Sequence, residues 1–188
     1  MNKIKKGFTL IELLIVIALL GALAVALLAA LDPLEQIKKG TDTGVRNTVA
    51  EIHGAMVRYS SLQGGAMPFD GTMPFTAFGT TPAATQFVSL QKVIDQGELK
   101  SDFAALAGKQ LNSIFLTGIN DSLSGQQIVN ICYAPTAKSF KTDLNTKFVY
   151  NPIPGGSVTE DPLAGQAAGC PNVNGTNAAG QQCYWCVR

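Results

Sequence analysis

The feature that most constrains this chain is a long apolar stretch near its start. Within residues 8–31, only Thr9, Glu12 and Gly21 interrupt the run of large and small apolar side chains. About 20 apolar residues cross a bilayer as one helix, so the stretch predicts a membrane-spanning helix. Three of the first six residues are lysines, and lysines before a span favour a cytoplasmic N-terminus. The rest of the chain is then expected outside the cytoplasm as a head.

The composition narrows the class of protein. Apolar residues make up 46% of the chain and charged residues 14%, which excludes disorder as the main description. The net charge of +1 argues against a charge-driven nucleic-acid binder. His53 is the one histidine, and the sequence has no phosphate-binding loop, nucleophile elbow or zinc-protease motif. We therefore expect no enzyme, no cofactor and no metal site, and a packed or half-exposed His53 without a ligand role.

The first 31 residues allow three interpretations. The first is a secretory signal peptide that is removed near small residues, leaving a mature start at Val25 or Leu27. The second is an uncleaved membrane anchor. The third is a short basic leader that ends at Gly7 and leaves the apolar helix in place, with Phe8 as the new first residue.

Glu12 favours the third interpretation. A carboxylate within a membrane span is costly and by default functional, and nothing offsets that cost in a discarded signal peptide or a plain anchor. Cleavage after Gly7 would create an α-amino group on Phe8, which is positive near neutral pH. Glu12 of a neighbouring copy could pair with that amine and set the stagger between copies. The simpler alternative is that Glu12 lies at the membrane interface and is solvated.

The order of residues around this point is specific. A basic leader that ends in Lys6-Gly7 is followed by Phe8-Thr9-Leu10-Ile11-Glu12, which opens the apolar helix. This order closely resembles the processing and methylation motif of type IV prepilins and the related pseudopilins. The resemblance covers about a sixth of the chain.

The resemblance implies both a processing pathway and a set of partners. It implies cleavage between Gly7 and Phe8 by a membrane-embedded prepilin peptidase, N-methylation of Phe8 and a register role for Glu12. Its implied partners are copies of the chain and related pilins in a helical filament, and an inner-membrane assembly platform. The chain departs from many pilins in one respect, because its first proline, Pro33, follows the apolar run instead of interrupting it.

The remaining pattern predicts an α+β, pilin-like fold in which one antiparallel sheet lies across a stem helix. Asp32 and Pro33 predict a helix restart, with Asp32 as a candidate N-cap. The expected segments are a leader at residues 1–7, a transmembrane and filament-core helix at 8–31, an amphipathic continuation of the stem at 32–63 and a globular head at 64–188.

Within the head we expect three regions. They are loop and short helices at residues 64–110, the sheet at 111–150 and a cysteine-containing C-terminal region at 151–188. Glycines and prolines in residues 151–180 predict a C-terminal loop that disulfides hold in place. Glycines and prolines mark residues 64–84 as a loop that phenylalanines pin to the head, and short helices are expected near 87–97 and 99–106. Strand-like patterns occur at residues 112–117, 128–133, 147–150 and 183–187.

Four cysteines predict disulfides, because the membrane interpretation places the head where disulfides persist. Residues three apart in a strand point to opposite faces, so a Cys183–Cys186 bond would require a turn. We therefore favour Cys132 paired with one of these two and Cys170 with the other. A redox pair or a half zinc site at Cys183-Tyr184-Trp185-Cys186 is the less favoured alternative.

Three weaker sequence patterns allow a structural interpretation as well as a functional one. Residues 120–125 faintly resemble a calcium loop but lack a closing glutamate, so a turn is expected. Asn120 and Asn174 each begin a glycosylation sequon. Lys138, Lys141 and Lys147 form a modest basic cluster that could touch DNA phosphates, although a solvated face is the stronger expectation.

The sequence therefore indicates a structural protein. The expected function is a subunit of a type IV pilus-like filament that serves adhesion, motility or DNA uptake. The chain is expected first as a single-pass precursor in the inner membrane and later as a subunit of an extracellular filament. A pseudopilin of a type II secretion system is the first alternative. A secreted soluble protein with a conventional signal peptide is the second.

Overall fold

A computed structural model describes residues 7–79, 85–120, 127–151, 157–162, 164 and 169–188 of the chain. The chain divides into two compact units, Met1–Ile37 and Lys38–Arg188. The first unit contains the apolar helix, and the second contains the head.

The apolar stretch forms helix α1 (Leu10–Ala30). Its side chains leave no polar face, and none of its 21 residues is buried. Within the described part of the chain, α1 is the one helix whose length and composition would allow it to cross a membrane. It ends at Leu31, where the backbone becomes extended.

The chain then restarts as helix α2 (Pro33–Leu62), which confirms the restart expected at Asp32. Asp32 Oδ1 accepts a hydrogen bond from the Glu35 N–H at 3.2 Å. Pro33 suits the first turn because the N–H that it lacks has no helical acceptor there. The buried side of α2 recurs every three or four residues and consists of Asp42, Val45, Val49, Ile52, Ala55 and Met56.

The head contains a six-stranded sheet in which every pairing is antiparallel. Its strands are β1 (Met73–Ala77), β2 (Ile114–Asn120), β3 (Gln127–Tyr133), β4 (Phe148–Asn151), β5 (Ser157–Glu160) and β6 (Cys183–Val187). The spatial order is β1-β2-β3-β6-β4-β5. The last strand of the described chain is thus inserted between β3 and β4, and β1 and β5 are the edges.

Short helices complete the head. They are α3 (Thr85–Asp95), α4 (Phe103–Ala107) with a following 3₁₀ turn (Gly108–Ser113), and α5 (Lys138–Lys141). The main core lies between α2, the short helices and one face of the sheet, and it includes Ile52, Leu90 and Ile131, which are fully buried. A smaller cluster of Cys132, Phe148 and Val158 lies apart from it. The architecture is α+β and pilin-like, with a curled antiparallel sheet and two disulfides in the C-terminal region.

Two predicted loops were wrong in part. Residues 64–84 include the strand Met73–Ala77, and the C-terminal region includes the strand Ser157–Glu160. The helix expected at 99–106 begins later, at Phe103. Phe69 and Phe78 are buried as expected. The calcium-like loop and the side chains of the first sequon lie outside the described residues.

Candidate functional site

The residues of the predicted cleavage site lie in front of α1. Gly7 and Phe8 have no regular secondary structure, and Phe8 is 81% exposed. A Cβ added at Gly7 would meet no atom within 4 Å. Neither residue is packed against the described part of the chain.

Thr9 and Glu12 form a reciprocal capping box at the start of α1. The Thr9 N–H and the Thr9 hydroxyl donate to Glu12 Oε2 at 2.8 and 2.7 Å, and the Glu12 N–H donates to Thr9 Oγ1 at 3.3 Å. The box satisfies backbone donors that a helix start leaves without partners. Both bonds to the carboxylate use one oxygen, Oε2.

The capping box changes the interpretation of Glu12. From the residue types alone, a carboxylate here is unexplained without a partner from a neighbouring copy. The structure supplies a local partner, Thr9, and the pattern Thr-x-x-Glu before an apolar run is the sequence sign of such a capping box. Cleavage after Gly7 would leave the box intact, because every bond in it belongs to Thr9 or Glu12.

A comparison with protein families matches residues 2–28 to the prokaryotic N-terminal methylation motif. The chain carries the leader of type IV pilins and pseudopilins. That family is structural and is not known as enzymatic, and its motif implies filament assembly and processing by a prepilin peptidase in general. The leader and the apolar helix together indicate a subunit that is first anchored in a membrane and then assembled. Neither the curated proteins nor the solved structures that were compared gave a match.

The four cysteines form two disulfides, Cys132–Cys186 and Cys170–Cys183. Cys132 and Cys186 lie directly opposite each other on β3 and β6. Cys183 is joined instead to the loop before it. The two cysteines of the C-x₂-C motif thus have different partners, which leaves neither a shared redox bond nor a pair of thiolates for zinc in this pilin-like head.

Two residues of α2 hold the α5 segment against the stem. Asp42 is 2% exposed and accepts hydrogen bonds from the Thr136 N–H and hydroxyl, both at 2.9 Å, and from the Ala137 N–H at 2.7 Å. One turn later, Arg46 pairs with Asp143 at 2.6 Å. The Arg46 guanidinium also lies 4.4 Å from the ring centroid of Trp185 on β6.

The other residues that the sequence singled out are the lysine cluster, His53 and the second glycosylation sequon. Lys147 pairs with Glu160 at 2.8 Å, and the Lys141 side chain lies next to Gly175. Burial lowers the pKa of His53, which lies half-buried on α2. Among the described residues, no group of three His, Cys, Asp or Glu side chains could hold a metal ion. Asn174, which begins the second sequon, is exposed.

Proposed function

We propose that this chain is the precursor of a structural subunit of a type IV pilus-like filament. The precursor spans the inner membrane once, with its N-terminus in the cytoplasm and the head outside. A prepilin peptidase removes residues 1–7, and the new terminus at Phe8 is N-methylated. Copies then assemble through α1 on an inner-membrane platform, with the stems inside the filament and the heads outside. The subunit itself catalyses no reaction.

The observation that carries this proposal is the leader motif joined to a helix that is apolar on all sides and buries none of its residues. Such a helix requires lipid or other apolar helices around it. Lipid tails are as apolar as leucine, so the gain on leaving the membrane comes from helix packing and polar contacts between copies. Glu12 is the candidate for such a contact, because its second carboxylate oxygen is not used by the capping box.

The choice of a pilus over a secretion pseudopilin rests on the head. Its C-terminal region is long, and two disulfides tie it down, which suits a subunit exposed outside the cell. If mechanical shearing of intact cells releases the processed chain as long fibres, the pilus is supported. If the chain stays in the periplasm, the pseudopilin is favoured.

The deciding experiment is intact-mass and N-terminal peptide mass spectrometry on the protein from its native host. The proposal expects a first residue at Phe8 with one added methyl group. Gly7→Val should leave Met1 in place, whereas the matched control Gly21→Val should be processed normally. Both glycines have open space for a side chain, so neither change disturbs packing.

Two other results would contradict the proposal. A mature start at Val25 or Leu27 would remove most of the assembling helix and would indicate a secreted soluble protein. An intact Met1 in cells that process other prepilins would indicate a plain membrane anchor.

A further inference from the structure

The most exposed large apolar side chains of the head, among its described residues, are two leucines. Leu106 of α4 is 74% exposed, and Leu144, which follows α5, is 76% exposed. A single exposed leucine is common on a protein surface and needs no explanation. These two differ from that case because one lines a groove and the other lies at the tip of a turn.

The groove that Leu106 lines lies between α2 and the α4 segment and has a volume of about 300 Å³. Phe103 and Ala107 supply the rest of its apolar lining, and Glu51 and Lys100 supply charged groups. Within the described part of the chain, neither of these two charges has an ion-pair partner. We call this groove the α4 groove, and it combines an apolar lining with an unpaired carboxylate.

Leu144 lies at the tip of a turn that is held in place from both sides. The Thr146 N–H donates to the Asp143 carbonyl at 2.8 Å, and Thr146 is itself fully buried. The Asp143 side chain is paired with Arg46 of α2 at 2.6 Å. We call residues 143–146 the leucine turn. Because this turn is already ordered, a contact through Leu144 would lose little conformational entropy on binding.

The leucine turn and the α4 groove lie on opposite flanks of α2. The turn is attached to α2 through Arg46, whereas Thr48 and Glu51 of α2 line the groove. At 3.6 residues per turn, Arg46 projects about 160° away from Thr48 and about 140° away from Glu51 around the helix axis. A contact between two different patches on two copies is heterologous, and such a contact generates an open helical array when its rotation does not close.

The charges beside the two features are complementary. The acid of the leucine turn is already paired with Arg46, whereas Lys138 and Lys141 of α5 lie just before the turn. In the α4 groove, Glu51 belongs to the α2 side and Lys100 to the opposite side. A second copy that inserts its leucine next to α2 therefore brings lysines towards an unpaired carboxylate. Opposite charges across an interface favour this partner and fix its register.

We propose that Leu144 of one head inserts into the α4 groove of a neighbouring copy, and that this head-to-tail contact repeats along the filament. The inference rests on the assembled stage of the proposed function, in which the heads lie side by side around the stems. Each head then uses its leucine turn towards one neighbour and its α4 groove towards another. The contact between heads therefore adds to the packing of α1 in holding the filament together.

Cysteine cross-linking in filaments of the full chain tests this proposal. All four native cysteines are held in disulfides, so an introduced pair supplies the reactive thiols. The double variant Leu106→Cys/Leu144→Cys is expressed in the native host, and sheared filaments are oxidised with copper–phenanthroline and separated on a non-reducing gel. The matched control is Leu62→Cys/Leu144→Cys. All three positions are exposed, so these substitutions do not disturb the core.

The expected result is a ladder of covalent dimers, trimers and larger species from the Leu106→Cys/Leu144→Cys chain. Each single cysteine variant and the Leu62 control should stay monomeric, because a heterologous contact brings together only unlike positions. A second variant needs no cross-link. Leu144→Asp should lower the yield of sheared filaments at least about tenfold, since a buried leucine is lost from every contact, whereas Leu62→Asp should assemble normally.

Three results would overturn the proposal. Covalent dimers from Leu106→Cys alone or from Leu144→Cys alone would show a two-fold contact in place of the head-to-tail one. A normal filament yield from Leu144→Asp, or filaments of the double cysteine variant that give no ladder, would refute the contact between heads and leave the proposed function intact. Absence of filaments from the unmodified chain would remove the proposed function itself, and the contact between heads with it.

Discussion

The contact between Asp42 and the α5 segment allows a quantitative prediction about the head. The carboxylate of Asp42 is 2% exposed and accepts three hydrogen bonds from Thr136 and Ala137. Asp42→Ala removes both acceptor oxygens, and with them all three hydrogen bonds. The Ala137 N–H is then buried without a partner, since Ala137 is fully buried. We expect this variant to lower the free energy of unfolding without changing the fold.

The expected loss is the sum of two unequal contributions. A buried N–H without an acceptor costs about 1–3 kcal/mol, and the bonds to Thr136, which is exposed and can be hydrated, cost about 1 kcal/mol more. The total is about 2–4 kcal/mol. Asp42→Asn keeps one acceptor oxygen and should lose about half as much. Asn47→Ala, at an exposed position of the same helix, should change the stability by less than about 0.5 kcal/mol.

Guanidinium unfolding of the full chain in a mild non-ionic detergent measures these differences. Trp185 fluorescence is a suitable signal, because the indole packs against Arg46 and Tyr133 in the folded head. With an m-value of about 3 kcal/mol per molar, a loss of 3 kcal/mol lowers the midpoint by about 1 M. The reasoning is refuted if Asp42→Ala unfolds within about 0.5 kcal/mol of the unmodified chain at an unchanged m-value.

Three further predictions follow from other sites. Glu12→Gln removes the charge but keeps the capping box, since a glutamine can make the same bond to the N-cap N–H. This variant should insert into membranes normally and yield few filaments by electron microscopy, whereas Thr9→Ser should assemble like the unmodified chain. Gly118→Ala places a Cβ against the Phe69 ring and should cost about 1–3 kcal/mol in a denaturation curve; an unchanged midpoint would contradict the packing. Burial raises the pKa of Tyr133 to about 12, so the unfolded chain loses that proton first and stability falls as pH rises from about 10 to 12. Tyr133→Phe should remove this part of the fall in a pH series of denaturation curves, because phenylalanine has no proton to lose.

The interior strands could be predicted from the sequence because they carry the side chains that a buried sheet requires. β2 and β3 are rich in isoleucine, valine and aromatic residues, and their pattern alone indicated an antiparallel pair. The two edge strands gave no such signal. β1 contains Pro74, which only an edge tolerates because proline cannot donate to a neighbouring strand, and β5 is four residues long and mostly polar.

The candidate processing segment is visible in the sequence as a local motif. Gly7, Phe8 and Glu12 stand in a local motif, so the sequence was enough to single them out. Asp42 gave no local signal, since its acceptor role depends on backbone groups of Thr136 and Ala137, which are 94 and 95 residues away. A sequence shows which residues are adjacent along the chain, and only the folded head brings these groups within hydrogen-bonding distance.

The position of β6 has a consequence for how the head is made. Among the described strands, β4 and β5 are hydrogen-bonded to the rest of the sheet only through β6. Before Cys183–Val187 is synthesised, the sheet therefore consists of two separate parts, β1–β3 and the β4–β5 pair. The pairing of β3 with β6 joins residues as far apart as Ile131 and Val187, and such long-range pairings form slowly. Until β6 is synthesised, the nascent head therefore carries unpaired edges on β3 and β4, and during this interval it most needs protection from aggregation.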